Sequence, residues 1–421
     1  MSKTERTVSI RWTLGIAAAA IVFMGAAAPR TAHAQAAGCT GNHKISKQIA
    51  KPMAAANDAM RARRWQEVLN KVREAQAITG YIRSATDEFY FHEFQGFAYS
   101  QLKQYPEAAR ELEAGLNSPC MAAAKKYDRY KALAAIYYAM KNNAKVIEFG
   151  NLALRAGPDG DTPIYVAQAY YQSGQYKDAI RVMNDTIAKT EQRGQKPNEQ
   201  WFLLLRSACD RVNDNACISR VFEKLVIYYP KPDYWMNAMS ALRKLDNVSD
   251  VQQLNIFRLQ TYVKVMNKPD EFKEMAQLAI EQGLPCEAQQ VLEGAFAQNM
   301  FKTQRDKDVN TRLLASAKAA CSPAKAALAQ NEAKAQASST GDDDVKVGAG
   351  YLFSGDPAKA VTLLQRGITK GKLQNPDEAA MLLGIAQLKA NNKSEAAKAF
   401  KTVKSDPNMA RIAKLWTLNA T

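Results

Sequence analysis

Gly96-Phe97-Ala98-Tyr99-Ser100-Gln101-Leu102-Lys103-Gln104-Tyr105-Pro106-Glu107-Ala108 sets two small residues, Gly96 and Ala108, 12 positions apart. The same interval returns down the chain. Gly348 precedes Ala360, Gly384 precedes Ala396 and then Phe400, and Ala167 precedes Ala179 across Ser173-Gly174-Gln175. Ala134 with Val146 and Ala276 with Ala288 are weaker copies, and Arg206 with Ile218 keeps the spacing without the small residue. Small residues at two matched positions let paired helices approach closely, while aromatics such as Tyr99, Tyr137 and Tyr170 fill the seam. A short polar turn, Ser173-Gly174-Gln175 or Ser354-Gly355-Asp356-Pro357, then reverses the chain. The pattern predicts a chain of helix hairpins.

The second-helix small residue or its substitute falls at Val68, Ala108, Val146, Ala179, Ile218, Ala288, Ala360 and Ala396. Two larger gaps leave room for degenerate pairs near 233–265 and 303–337. Prolines 119, 158, 230 and 407 close several units. Together these residues resemble the tetratricopeptide-repeat (TPR) family over most of residues 50–410, although no unit carries the full tryptophan-leucine-glycine-tyrosine set. The resemblance implies an all-α fold, a right-handed α-solenoid of stacked antiparallel helix pairs. Ala324–Ala337 is nearly pure Ala, Lys and Gln and leads into Ser338-Ser339-Thr340-Gly341, which reads as a flexible break. The expected organisation is therefore a leader at 1–34, a main array at 35–337 with degenerate middle repeats, and a C-terminal TPR pair with a capping helix at 338–421. Asp342-Asp343-Asp344 is expected to cap a helix N-terminus rather than to hold calcium. The last helix, 409–418, is expected to pack Ile412, Leu415 and Trp416 and to turn Arg411 and Lys414 outward.

Lys3, Arg6 and Arg11, the uncharged stretch Leu14–Ala28 and Ala32-His33-Ala34 have the three parts of a secretory signal peptide. Its 15 apolar residues fall short of a membrane span, so no transmembrane segment is expected after cleavage at Ala34. Ala36-Ala37-Gly38-Cys39 resembles a degraded lipobox, but it stands too far beyond the apolar core. The chain carries a formal charge of +16, of which the leader's four basic residues and Glu5 account for +3. The remaining excess either favours an anionic neighbour or is a solvated surface that keeps the chain soluble. Export makes that neighbour an anionic polymer, a membrane surface or an acidic protein, and not nucleic acid.

Chemistry is sparse. There are three histidines, His33, His43 and His92, and none stands in a metal-ligand spacing. Neither a nucleophile elbow nor a phosphate loop occurs. No catalytic, cofactor or metal residue is assigned, and repeats leave no room for the catalytic domain of a lytic transglycosylase, the enzyme class most easily confused with this chain. Six cysteines follow the leader, and an oxidising compartment lets them pair. The repeat register implied by the resemblance brings Cys209 near Cys217 and Cys286 near Cys321, leaving Cys39 with Cys120 by subtraction. Buried thiols are the other reading.

In the TPR family, first helices line an inner groove. Carried over to the positions one and four residues after each small residue, and to the preceding turn, that rule selects Tyr90, Glu93, Phe97, Lys131, Tyr138, Gln168, Tyr171, Gln172, Asp210 and Arg211. Aromatics interleaved with amides and charges suit an extended peptide. In the last two repeats the equivalent positions are Ala349, Leu352, Phe353, Met381, Ile385 and Leu388, so apolar a set that the groove is expected to be covered, by the chain itself or by a partner helix. The expectation is a non-catalytic periplasmic scaffold or adaptor for an envelope protein or peptide, with a weaker resemblance to TPR proteins that accompany TonB-type energy transduction. The competing expectation is a cell-wall-polymer binder or a regulator of cell-wall synthases.

Overall fold

The structure, a computed structural model, describes residues 39, 44–156 and 161–420. The leader, His43 and Pro158 lie outside the described residues. Among the described residues the regular elements are helices, with no strand, and none is long and apolar enough to cross a membrane. The chain divides into two compact units, 1–175 and 176–421. The segment 338–341 lies inside the second.

In the first unit a 3-10 turn, Lys47–Ile49, leads into α1 (Ala50–Arg61) and α2 (Trp65–Gln76). Two more hairpins follow, α3 (Ala85–Gln101) with α4 (Tyr105–Asn117) and α5 (Ala123–Ala139) with α6 (Asn143–Ala156), and then α7 (Thr162–Gln172). The second unit opens with α8 (Tyr176–Gln192), α9 (Glu199–Arg211), α10 (Asn215–Tyr228), α11 (Pro232–Leu242) and α12 (Asp250–Tyr262). It continues through α13 (Pro269–Glu281), α14 (Pro285–Ala297), α15 (Gln304–Ala326) and α16 (Leu328–Ala337). It closes with α17 (Asp342–Phe353), α18 (Pro357–Lys370), α19 (Pro376–Lys389), α20 (Lys393–Lys401) and α21 (Pro407–Thr417). Proline opens many of these helices, where its missing N–H costs nothing.

The 12-residue interval marks sites of close helix approach. A Cβ on Gly96 would stand 2.5 Å from Leu112, one on Gly348 2.8 Å from Leu364, and one on Gly384 2.3 Å from the Phe400 ring. Each of those neighbours lies one helical turn beyond the matched alanine. Ala108, Ala360 and Ala396 are themselves wholly buried, as are Val68, Val146, Ala179 and Ala288. Gly174 and Gly355 take φ of 74° and 97°, the left-handed backbone that their turns require.

Four details depart from the sequence reading. Residues 303–337 do not form a hairpin. α15 runs 23 residues through Pro323, and only Ala327 separates it from α16. No glycine interrupts this stretch, and its Ala and Lys favour continued helix. Asp344 does not cap α17. It is fully buried and receives Arg366 at 2.5 Å and Lys370 at 2.7 Å, while Asp342 accepts the Gln374 N–H. Nor is the 338–341 segment loose, because Gly341 N–H bonds Gly371 O at 2.9 Å. Arg411 turns inward, donating to Glu223 at 2.7 Å and Ser219 at 2.8 Å on α10. Ile412, Leu415 and Trp416 are buried.

α12 sits at the centre of the second unit. Its sequence, Asp-Val-Gln-Gln-Leu-Asn-Ile-Phe-Arg-Leu-Gln-Thr-Tyr, is far from uniformly apolar, yet every residue from Leu254 to Gln260 is buried. Burial without pairing costs several kcal/mol for such groups, and Gln252, Asn255 and Arg258 find partners, whereas Gln260 Oε1 meets none among the described residues. Gln252 donates to Asp406 at 2.6 Å and Asn255 to Glu378 at 2.6 Å. Arg258 meets Glu287 through two 2.8 Å bonds and Glu378 at 3.1 Å. Phe353 lies 4.8 Å from the Arg258 guanidinium, and Tyr262 stands 5.2 Å from Trp416.

Candidate functional site

In the first unit the helix starts are fixed locally. Ser84 and Asp87 form a capping box on α3, with Ser84 Oγ accepting from Asp87 N–H at 3.1 Å and Asp87 accepting from Ser84 N–H at 2.9 Å. Asp87 also receives Ser46 N–H and hydroxyl at 2.8 and 2.6 Å. Burial pushes its carboxyl upward, but these bonds outweigh it and hold the group below the usual range. That geometry fixes α3, the first of the helices carrying the proposed groove.

Successive first helices are then linked. Glu93 on α3 pairs with the buried Arg129 on α5, which also donates to Leu112 O at 3.3 Å. Tyr138 on α5 donates its hydroxyl to Gln168 on α7 and stacks on Tyr165 with ring centres 4.3 Å apart. Burial raises the pKa of both phenols, Tyr165 to about 12, so both stay protonated at neutral pH. Lys131 lies 5.2 Å above the Tyr127 ring one turn before it. Tyr171 is half-buried and Gln172 exposed at the end of α7.

The structure therefore brings Tyr138 and Gln168 together, with Glu93, Lys131 and Tyr171 on the same run of first helices. Tyr90 is half-buried against the core cluster of α1–α3. Phe97 packs edge-on against Trp65 of α2, 5.4 Å between centres, so part of its surface joins two repeats. Arg211 belongs to the second unit, where its guanidinium stands 5.9 Å from Tyr176. Arg129 and Tyr165 escaped the sequence reading, because both lie outside the one-and-four offset from the small residue. Gly115 was an available signal, since its missing side chain leaves the room that Glu93 and Arg129 fill.

His92 sits beside this wall, its Nδ1 2.8 Å from Glu111 on α4. The shared hydrogen bond raises the imidazole pKa against the opposing effect of burial, and it lowers that of Glu111. The pair is a structural ion pair within one hairpin. Among the described residues no three metal-ligating side chains cluster.

The corresponding positions of the last repeats are filled from within. Ala349, Leu352, Phe353, Met381, Ile385 and Leu388 are all buried, and residues of α12 and α14 reach Phe353 and Glu378. All six cysteines are bridged: Cys39 to Cys120, Cys209 to Cys217, and Cys286 to Cys321.

No family model matches the chain, and no curated protein matches it in sequence. Among solved structures it is similar to a tetratricopeptide repeat protein from Parabacteroides merdae, at 11% identity and a TM-score of 0.31, covering 78% of this chain and 98% of that one. It is also similar to the TPR2AB domain of yeast Sti1, solved as its pHSP90 complex, at 14% identity and a TM-score of 0.24, covering 71% and 99%. Yeast Tom70 is similar at 9% identity and a TM-score of 0.25, covering 89% and 96%. Likenesses this distant carry neither partner nor mechanism to this chain. The all-α, paired-helix fold stands on the chain's own helices and small-residue contacts.

Proposed function

We propose that this chain is an exported, non-catalytic TPR-type scaffold that holds a protein or peptide of the cell envelope along the first helices of its first unit. One observation carries the reading. The run from α3 to α7 offers half-buried aromatics beside amides and charges, whereas the equivalent positions at the end of the second unit are already filled by the chain. Rings that can cover partner side chains, with amides able to meet its backbone, suit an extended ligand. Three bridged cysteine pairs support an oxidising compartment, and the Cys39 sulfur, joined to Cys120, leaves none for a lipid thioether. A TonB-type accessory role is the narrower form of this proposal. A cell-wall-directed binder is its competitor, and ionic strength separates them, since polymer binding weakens steeply with added salt.

The test is crosslinked capture from the native envelope with the processed protein, whose first residue should be Gln35 or Ala37. Tyr171→Ala should lose the captured protein while melting normally, because interface aromatics typically contribute about 2 kcal/mol or more. An unchanged set of captured proteins at unchanged melting would overturn the groove assignment.

A further inference from the structure

The turns that join the two helices of each pair need one residue in the left-handed region. In the second unit these residues are Asn213, Asn247, Gly283, Gly355 and Asn391, the types that accept this backbone most readily. In the first unit they are Arg63, Lys103, Lys141 and Gly174, with φ of 58°, 59°, 57° and 74°. Three of these four positions therefore carry a long cationic side chain in a conformation that such residues seldom adopt. A helix C-terminus does favour nearby cations, and Arg211 and Lys389 stand in the last turns of α9 and α19, but none of those five left-handed positions of the second unit carries one.

Because α1 to α7 alternate in direction, these turns share one edge of the first unit. Arg61, Arg63, Arg64, Lys103 and Lys141 are all exposed there. Arg64 pairs with Glu67 at 3.1 Å, whereas no described carboxylate stands within ion-pair distance of Arg61, Arg63, Lys103 or Lys141. Neighbouring packed helices lie roughly 10 Å apart, so the charges recur along the edge as a row. Two aromatics follow the turns directly, Trp65 opening α2 and Tyr105 opening α4, both partly exposed.

We infer that this edge docks the first unit on the surface of an anionic phospholipid bilayer. A row of exposed cations that pair with no carboxylate among the described residues suits a laterally extended field of headgroups better than one bound ion. Tryptophan and tyrosine beside them are the side chains that settle at the headgroup level, with an apolar body and a polar tip. Docking uses the turn edge and leaves the wall of Tyr138, Gln168 and Tyr171 to a protein partner.

The test is co-sedimentation of the full chain with vesicles of three parts phosphatidylcholine to one part phosphatidylglycerol. Vesicles of phosphatidylcholine alone subtract any insertion of residues 14–28. The triple variant Arg63→Asn, Lys103→Asn, Lys141→Asn removes three charges and installs the residue type the second unit uses, so its melting temperature should hold or rise. Each charge near an anionic surface contributes about fivefold, and the variant should bind roughly a hundredfold more weakly. A control, Lys264→Asn with Lys372→Asn, alters left-handed lysines of the second unit and should leave binding unchanged. Equal binding of the triple variant, equal loss in the control, or retention on a soluble polyanion without vesicle binding would each overturn the assignment.

Discussion

Arg258 and Glu287 face each other through two parallel 2.8 Å hydrogen bonds, with both side chains only 3% exposed. Burial disfavours the charge on Arg258, yet Glu287 and Glu378 outweigh it and hold the guanidinium more firmly protonated than in water. Removing one member of such a pair strands the other. Arg258→Met should cost about 3–5 kcal/mol, while Arg258→Met with Glu287→Leu should cost less than the sum of the single changes. Urea titrations of the three variants would check this, and simple additivity would refute the coupling.

His92 and Glu111 predict a pH signature. The imidazole is held above its ordinary 6.5, so its contribution is complete below that value and fades as pH rises through the raised pKa. The carboxyl is held below its ordinary 4.5, so its contribution is complete above that value and fades as pH falls through the lowered pKa. The melting deficit of His92→Gln should therefore be greatest between those two values and shrink in mildly alkaline buffer. A deficit independent of pH would mean the pair acts by packing alone.

Two glycines should respond oppositely to alanine. At Gly384 the added carbon would meet the Phe400 ring at 2.3–2.6 Å, and Gly384→Ala should lose about 1–3 kcal/mol. At Gly294, inside α14, the nearest atom is the end of Gln298 at 4.0 Å, and Gly294→Ala should gain up to ~1 kcal/mol from helix propensity. Thermal melts of both variants decide the matter, and matching signs would count against the close approach at the seam.

The three bridges should differ in weight. Cys39–Cys120 closes a separation of 81 residues and Cys209–Cys217 one of 8. Restricting the unfolded chain makes the first worth about 4.5 kcal/mol and the second about 2.5. Paired Cys→Ser replacements would measure both. All six thiols should resist alkylation until the protein is reduced.

The hairpins were legible because a small residue at a fixed interval is a local signal, and Gly96, Gly348 and Gly384 each proved to meet the neighbour one turn past the matched alanine. The position of α12 was not. Gln252, Asn255 and Arg258 look like a solvated face until Asp406 and Glu378 arrive from 154 and 123 residues away. Arg411 was misread for the same reason, since its partners Glu223 and Ser219 are 188 and 192 residues distant. The stretch 303–337 failed differently: a long gap suggested a hairpin, but it holds no glycine, and α15 runs on through Pro323. At the candidate groove the offset rule found Tyr138 and Gln168 and missed Arg129, whose pairing with Glu93 follows from helix direction more than spacing.

Repeat arrays ordinarily gain or lose a unit with little penalty, because each repeat meets only its neighbours. The central helix of the second unit removes that modularity. A hairpin inserted or deleted between α13 and α18 would carry Glu378 and Asp406 out of register with Asn255 and Gln252, leaving buried polar groups at both ends of the shift. The unit is thus closed to growth by duplication, and its length is fixed as firmly as that of a globular domain. Synthesis feels the same constraint: Glu287 follows Arg258 by 29 residues, but the partners of Asn255 and Gln252 emerge 123 and 154 residues after them, so those amides must stay hydrated until the last helices arrive.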